Sequence, residues 1–245
     1  VNRDAQTVAA AASGLEIVPR TQRWAHVSLC VLDAVFSISA RYSTTAATCR
    51  RYATAAQIPA LVDANSSAYW EQPLSEFVQS VRHAGVEAFA HDTLENLQRT
   101  STRSGILKAE AALQYAEALV DSSVERYADI PALFDDEPRL AELTSRLRQV
   151  PGNGDSDVRL GYLWMLLGDD DTIKPDRMVL RWLSSVGVLA RRVSPAQARS
   201  VLTEAAQIMG CTAWSLDHAI WQAQRAFDNE RARPRPSASP GEPEQ

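Results

Sequence analysis

The sequence predicts an all-α fold, and three observations carry that expectation. Apolar residues recur at spacings of three and four over much of the chain, as one face of a helix requires. Glycine, proline, serine and aspartate fall where such runs would begin or stop. No segment sustains the apolar–polar alternation of a half-buried strand. At 245 residues the chain can bury a sizeable core, as one large unit or two closely joined halves.

Residues 1 to about 14 are alanine-rich and polar, which predicts a frayed helix or a flexible lead-in. From Trp24 to Ala40 apolar residues are dense enough for a buried helix. Ser43 and Thr44 suit the cap of the next, which runs to about Ala56 with Arg50 and Arg51 exposed. Leu74 to Ala84, Val86 to Leu97 and Gly105 to Val120 read as three amphipathic helices. Between the last two, Arg99 to Gly105 is a basic, polar loop, either simply solvated or in contact with a phosphate.

Asp136 with Pro138 suits a helix start, and Leu140, Leu143, Leu147 and Val150 continue it. Pro151-Gly152-Asn153-Gly154 then breaks the chain, because proline cannot continue a helix and glycine accepts positive φ. Val158, Leu160, Leu163, Leu166 and Leu167 give the next helix, stopped by Gly168. Asp176 opens another. Ser194-Pro195 caps one ending at Gly210, and Leu216, Ile220, Ala223 and Phe227 mark the last. Residues 232–245 (ARPRPSASPGEPEQ) are proline-rich and are expected to be disordered.

Composition narrows the function classes. A hydrophobic content of 45% with 22% charged residues is that of an ordinary globular protein. No apolar run reaches membrane-spanning length and no signal-like segment opens the chain, so no membrane partner is expected. Three widely spaced cysteines suggest reduced thiols in a cytoplasm. The histidines show no metal-ligand spacing, and the nucleotide-binding glycine patterns and the nucleophile elbow are absent, so no cofactor and no metal are expected. The net charge of −5 counts against a nucleic-acid partner unless one face is locally basic. Lys108 and Lys174 are the only lysines; the remaining positive charge is arginine.

A glycine turn between two helices leaves backbone N–H groups free to hold an anion, typically a phosphate; the alternative is a plain helical hairpin. The turn Val150-Pro151-Gly152-Asn153-Gly154, followed by Ile173-Lys174-Pro175-Asp176-Arg177, resembles the helix-hairpin-helix DNA glycosylase superfamily, that of endonuclease III and the adenine-mismatch glycosylases. Leu107-Lys108-Ala109-Glu110 is similar to the segment that family has ahead of its hairpin, and Val31 to Ser43 to its early helix. The resemblance covers about residues 25 to 225, with the hairpin and Asp176 its specific part.

That resemblance implies two helical lobes, 29–170 with the hairpin and 1–28 packed with 171–231, and an active cleft between them. It implies that Asp176 stabilises the positive charge that builds on a sugar as its base leaves. Asp176 also suits a helix N-cap, and one residue can serve both ends. Gly152, Asn153, Gly154 and Ser156 would grip DNA, duplex or single-stranded, with Lys174, Arg177 and Arg41. Ser156 stands where bifunctional relatives keep a lysine, so base release without strand cleavage is expected. Ser39 falls where relatives keep a wedge for the gap left by a flipped base, with Arg41 or Tyr42 as substitutes. Asp33 is a candidate second carboxylate in the pocket. No four-cysteine cluster is present, so no iron–sulfur group is expected. A monomer at a bacterial nucleoid completes the picture.

Departures from the pattern keep other readings open. Asp155 and Asp157 follow the hairpin where relatives usually show a basic residue, and Asp169, Asp170 and Asp171 precede Asp176. Those acids disfavour duplex binding unless Arg159, Lys174 or Arg177 offset them. The rivals are a non-catalytic DNA-binding or protein-interaction module of the same fold, and a glycosidase of free nucleosides or single strands. Trp164, Trp182 and Trp221 read as core, and Asp217-His218 as local capping.

Overall fold

A computed structural model describes residues 2–66, 69–153, 157–188 and 194–232. The chain is mostly helical. In order come α1 (Arg3–Ala12), β1 (Gln22–Trp24), α2 (Val27–Phe36), α3 (Tyr42–Ala55), β2 (Leu61–Asp63), α4 (Leu74–Ala84) and the single turn α5 (Val86–Ala88). Then follow α6 (Lys108–Asp121), α7 (Ile130–Phe134), α8 (Glu137–Arg148), α9 (Val158–Leu166), α10 (Arg177–Ser185), α11 (Pro195–Met209) and α12 (Ala213–Ala232).

Most boundaries follow from local chemistry. Asp136 caps α8 by accepting the Arg139 amide, with proline in the first turn. Ser194 and Gln197 form a reciprocal capping box on α11, and Gly210 closes that helix in the left-handed region. The early helix is shorter than its apolar run suggests, because Ser37 is its C-cap and Ser39 already sits at φ 55°. Arg41, rather than Ser43 or Thr44, is the N-cap position of α3, and it makes no side-chain cap bond. Beyond α5 the chain widens into a π-helical segment, Phe89–Thr93, instead of one long amphipathic helix.

One small sheet corrects the expectation of helices alone. β1 pairs antiparallel with β2, with Gln22 opposite Asp63 and Trp24 opposite Leu61. Three residues per strand are too few to show alternation, so periodicity is blind to the pair.

Buried apolar residues fall into two clusters. The first, from Trp24 to Leu167, is built around α2, whose ten residues are all buried, with Tyr52, Phe77 and Phe89 meeting edge to face. The second joins α1 to α10, α11 and α12. α1 is not a loose lead-in: Asn2 caps it, and Ala5, Val8 and Ala12 are fully buried. Trp24 and Val27 belong to the first cluster, so the N-terminal share of the second ends near Ile17.

The 150–153 turn faces inward. Gly152 has φ +88°, and a Cβ there would lie 2.3 Å from Arg159 Nη2 and 2.6 Å from Thr100 Cβ. Gly105, in the loop packed against that turn, would place a Cβ 2.2 Å from the Ser101 nitrogen. Positive φ and close approach therefore both demand glycine at 152. Gly152→Ala is expected to cost about 2–4 kcal/mol, from left-handed strain plus overpacking. Gly14→Ala, where a Cβ meets nothing within 4 Å, serves as control. Urea denaturation of both variants checks this, and equal midpoints would contradict the close packing.

Candidate active site

Four ionisable side chains from three elements act on one another between the two cores. Asp33 comes from α2, Lys174 and Asp176 from the segment entering α10, and Asp217 from α12. Asp33 is buried; its Oδ2 accepts from Trp24 Nε1 at 2.7 Å and from the Tyr162 hydroxyl at 3.3 Å. Its Oδ1 has no partner among the described residues, and neither has Oδ1 of the buried Asp217. Lys174 lays its ammonium 3.3 Å from the centre of the Tyr162 ring and donates to Ser37 Oγ at 3.4 Å.

Burial and charge pull these groups in opposite directions. Burial pushes the Asp33 carboxyl up, while the Trp24 hydrogen bond and the Lys174 charge oppose the rise. Burial also raises Asp217 well above the usual carboxylate range. Neighbouring Asp176 adds to that shift, and the Lys174 ammonium and backbone amide offset part of it. The same burial lowers Lys174, against the attraction of Asp176, Asp33 and Asp217. Chemically, the arrangement offers two carboxyls biased toward their protonated, donor form beside one shared cation.

Asp176 is the N-cap of α10. Its Oδ1 accepts from the Met178 amide at 2.8 Å and the Val179 amide at 3.1 Å, and the residue is half-buried. Those two bonds fix the carboxylate's direction and use one of its two oxygens, so Oδ2 is the oxygen left to meet a ligand. Arg177, next along, is exposed.

The hairpin is put together differently from the expectation. Gly154 and Ser156 lie outside the described residues. Asn153 turns inward, accepting from the Tyr115 hydroxyl at 3.2 Å and donating to Asp157 Oδ1 at 2.8 Å. Asp157 is paired with Arg148 at 2.8 Å, and that partner holds its carboxyl below the usual range. Arg159 is buried behind the turn, donating to the Pro151 carbonyl at 3.0 Å, and so is not the surface cation that would offset the acids. Lys174 is half-buried, and the charges of Asp176, Asp33 and Asp217 act on it.

Of the other candidates, Asp33 joins Lys174 and Asp176, whereas Ser39 and Arg41 lie at the α2–α3 turn, Arg41 exposed. Tyr42 stands between groups: its ring meets Trp221 edge-on at 5.5 Å, and the Asp33 charge helps burial push its hydroxyl up to about 12. Asp217 is the member of the cluster that sequence reasoning missed, reading it as a local cap; Lys174 is named there as a DNA-gripping residue and not as a partner of these acids. The available signal for Asp217 was its place on the apolar face of α12, between Leu216 and Ile220, where an aspartate is out of pattern.

Among the described residues no group of His, Cys, Asp and Glu is placed to hold a metal ion, and no helix is long and apolar enough to cross a membrane. The molecule is thus a predominantly helical protein with a lysine–carboxylate cluster between two apolar cores. A family model described as a domain of unknown function, DUF8548, matches residues 3–225, and the chain belongs to that family. No curated protein and no solved structure matches it.

Lys174→Met would leave Asp33 and Asp217 without their cation. Both carboxyls bind protons more readily folded than unfolded, so their contribution to stability is present in acid and is lost as pH rises. Losing the lysine raises both further and deepens that loss. The variant is expected to lose roughly 3 kcal/mol at about pH 8, and distinctly less at about pH 5. Urea titrations at both pH values read this, and a penalty independent of pH would refute the coupling.

Proposed function

We propose that this protein is a DNA N-glycosylase that hydrolyses the bond between a flipped, modified or mispaired base and its sugar, without strand cleavage. The observation that supports this reading is the convergence of Asp176 with Asp33, Lys174 and Asp217 between two helical cores. A dissociating glycosidic bond leaves positive charge on the sugar, and a carboxylate fixed beforehand stabilises it without reorganising. The two amides on Asp176 Oδ1 supply that fixation. Asp33 and Asp217, biased toward protonation by burial, are suited to donate a proton to a departing base. The two cores would act as the lobes on either side of the cleft, with DNA, duplex or single-stranded, reaching it over the face bearing Arg41 and Arg177.

A second reading has its own support. The N-cap bonds alone give Asp176 a structural role, and the net charge of −5 disfavours a duplex partner. On that reading the chain is a non-catalytic DNA-binding or protein-interaction module.

The choice of substitution separates the two. Asparagine caps a helix about as well as aspartate but carries no charge, whereas alanine loses both functions. Asp176→Asn is therefore expected to keep the melting temperature while lowering base release by about 100-fold or more. Asp176→Ala should lose about 1 kcal/mol of stability in addition. Release is measured on a panel of lesion-bearing duplexes and single strands, with borohydride trapping expected to capture no covalent adduct. Absence of release on every substrate favours the binding module.

A further inference from the structure

The surface of α12 carries a second feature that the carboxylate cluster leaves unused. Ala213, Leu216 and Ile220 turn one face of the helix into the second core. The flanking face presents Trp214, His218, Trp221 and Arg225, spaced by four, three and four residues and so stacked one above another along the helix. Trp214 and His218 lie parallel, with centroids 4.8 Å apart and planes at 10°. His218 and Trp221 are 6.3 Å apart at 16°. A guanidinium closes each end, Arg20 at 4.6 Å from the Trp214 ring centre and Arg225 at 5.1 Å from that of Trp221.

This arrangement differs from the aromatic packing of the core. Tyr52, Phe77 and Phe89 are buried and meet edge to face, the geometry ring quadrupoles favour among themselves. The α12 rings are half-exposed and stacked in parallel. Tyr42, 43% exposed, stands edge-on to Trp221 and extends the row onto the first core. Burial and the nearby Arg20 charge lower the His218 pKa and so favour the uncharged ring.

We propose that this row is a stacking track for the unpaired bases of single-stranded nucleic acid. Two features select that partner. The Trp221 face beneath Arg225, backed by the stacked His218 and Trp214, and the exposed Tyr42 ring offer π-surface to any base, which a duplex hides within its own stack. The exposed cations beside the row suit a phosphate backbone: Arg50 and Arg225 both act on the Tyr42 hydroxyl, whereas Arg20 is engaged by Asp170 and the Met165 carbonyl. Of the acids beside the row, Asp170 is paired with Arg20 and Asp228 with Arg181, and Asp33 and Asp217 are buried. Asp171 is exposed at the Trp214 end, so the strand is expected to enter from the end bearing Tyr42 and Arg225. Arg225 is exposed and holds the outer side of Trp221, so a base can replace its guanidinium there while the arginine moves to a phosphate. The track draws its partner class from the nucleic-acid reading above and does not depend on catalysis by Asp176.

Fluorescence anisotropy with a labelled oligothymidylate of about 15 nucleotides tests the track, with an unlabelled duplex of equal length as competitor. The single strand is expected to bind at least about tenfold more tightly than the duplex, and Trp221→Ala or Tyr42→Ala to weaken it about tenfold. Trp221→Phe, which keeps a ring, should retain most of the affinity. Arg225→Ala alters an exposed side chain and should fold normally, weakening binding and reducing the salt slope by about one. Equal affinity for duplex and single strand, no binding to either, or wild-type binding by folded Trp221→Ala and Arg225→Ala would overturn the proposal. Base release is scored in the same preparations: binding without release supports the track and counts against the hydrolase, and release without single-strand preference does the reverse.

Discussion

Lys174 is the interaction on which the two halves of the molecule depend. Its backbone follows Ile173, which lies in the second core, and its ammonium lies on Tyr162 and Ser37 of the first half. Moving one ammonium out of water costs several kcal/mol unless opposite charge compensates, and Asp33, Asp176 and Asp217 supply that compensation from both sides. The lysine charge in turn offsets part of the burial cost of Asp33 and Asp217, beside the Trp24 and Tyr162 hydrogen bonds to Asp33. The cluster therefore links α12 to α2 through charge, in addition to the apolar packing of each helix in its own core. A second cation repeats the logic at the rim, where Arg20 donates to the Met165 carbonyl at 2.7 Å and to Asp170 at 2.9 Å while covering Trp214.

The fold was legible wherever local chemistry decides it. Asp136, Asp176, Ser194 and Gly210 mark helix ends because capping needs only a few neighbouring residues. The signal failed where partners are distant. Gln22–Trp24 becomes a strand only because Leu61–Asp63 lies beside it, and α1 becomes a firm helix because α11 covers Ala5, Val8 and Ala12. Neither fact resides in the segment itself. The site shows the same division. Asp176 and Asp33 were recognisable as candidates, whereas Lys174 was assigned to a DNA surface and Asp217 to a cap. A lysine flanked by isoleucine and proline gives no sign that the charges of three carboxylates act on it.

The turn at 150–153 shows how one glycine pattern serves different ends. A turn that offers its amides outward needs glycine so that a ligand can approach the backbone. Here Gly152 is required from within, because Arg159 and Thr100 occupy the space of a side chain. Asn153 and Asp157 spend their hydrogen-bonding capacity on Tyr115, Arg148 and each other. The described part of the turn is thus a packing element that joins α8 to α9. The same residues at the same spacing fit both roles, and only the placement of Arg159 distinguishes them.

α12 gathers these threads, because a helix of 3.6 residues per turn presents several faces at once. Leu216 and Ile220 anchor it in the second core, Asp217 faces Lys174, and Trp214, His218 and Trp221 line the outside. Moving the helix by one residue would break all three sets of contacts together, so its register is fixed by core, charge and stack jointly. Tyr42 closes the circuit: its ring meets the outer row and its hydroxyl senses the Asp33 charge. A planar ligand held by the row would lie beside Tyr42, whose hydroxyl feels the buried Asp33 charge. The surface feature and the ionic cluster are therefore neighbours by construction, each positioned by the helix whose core face holds the second half of the protein together.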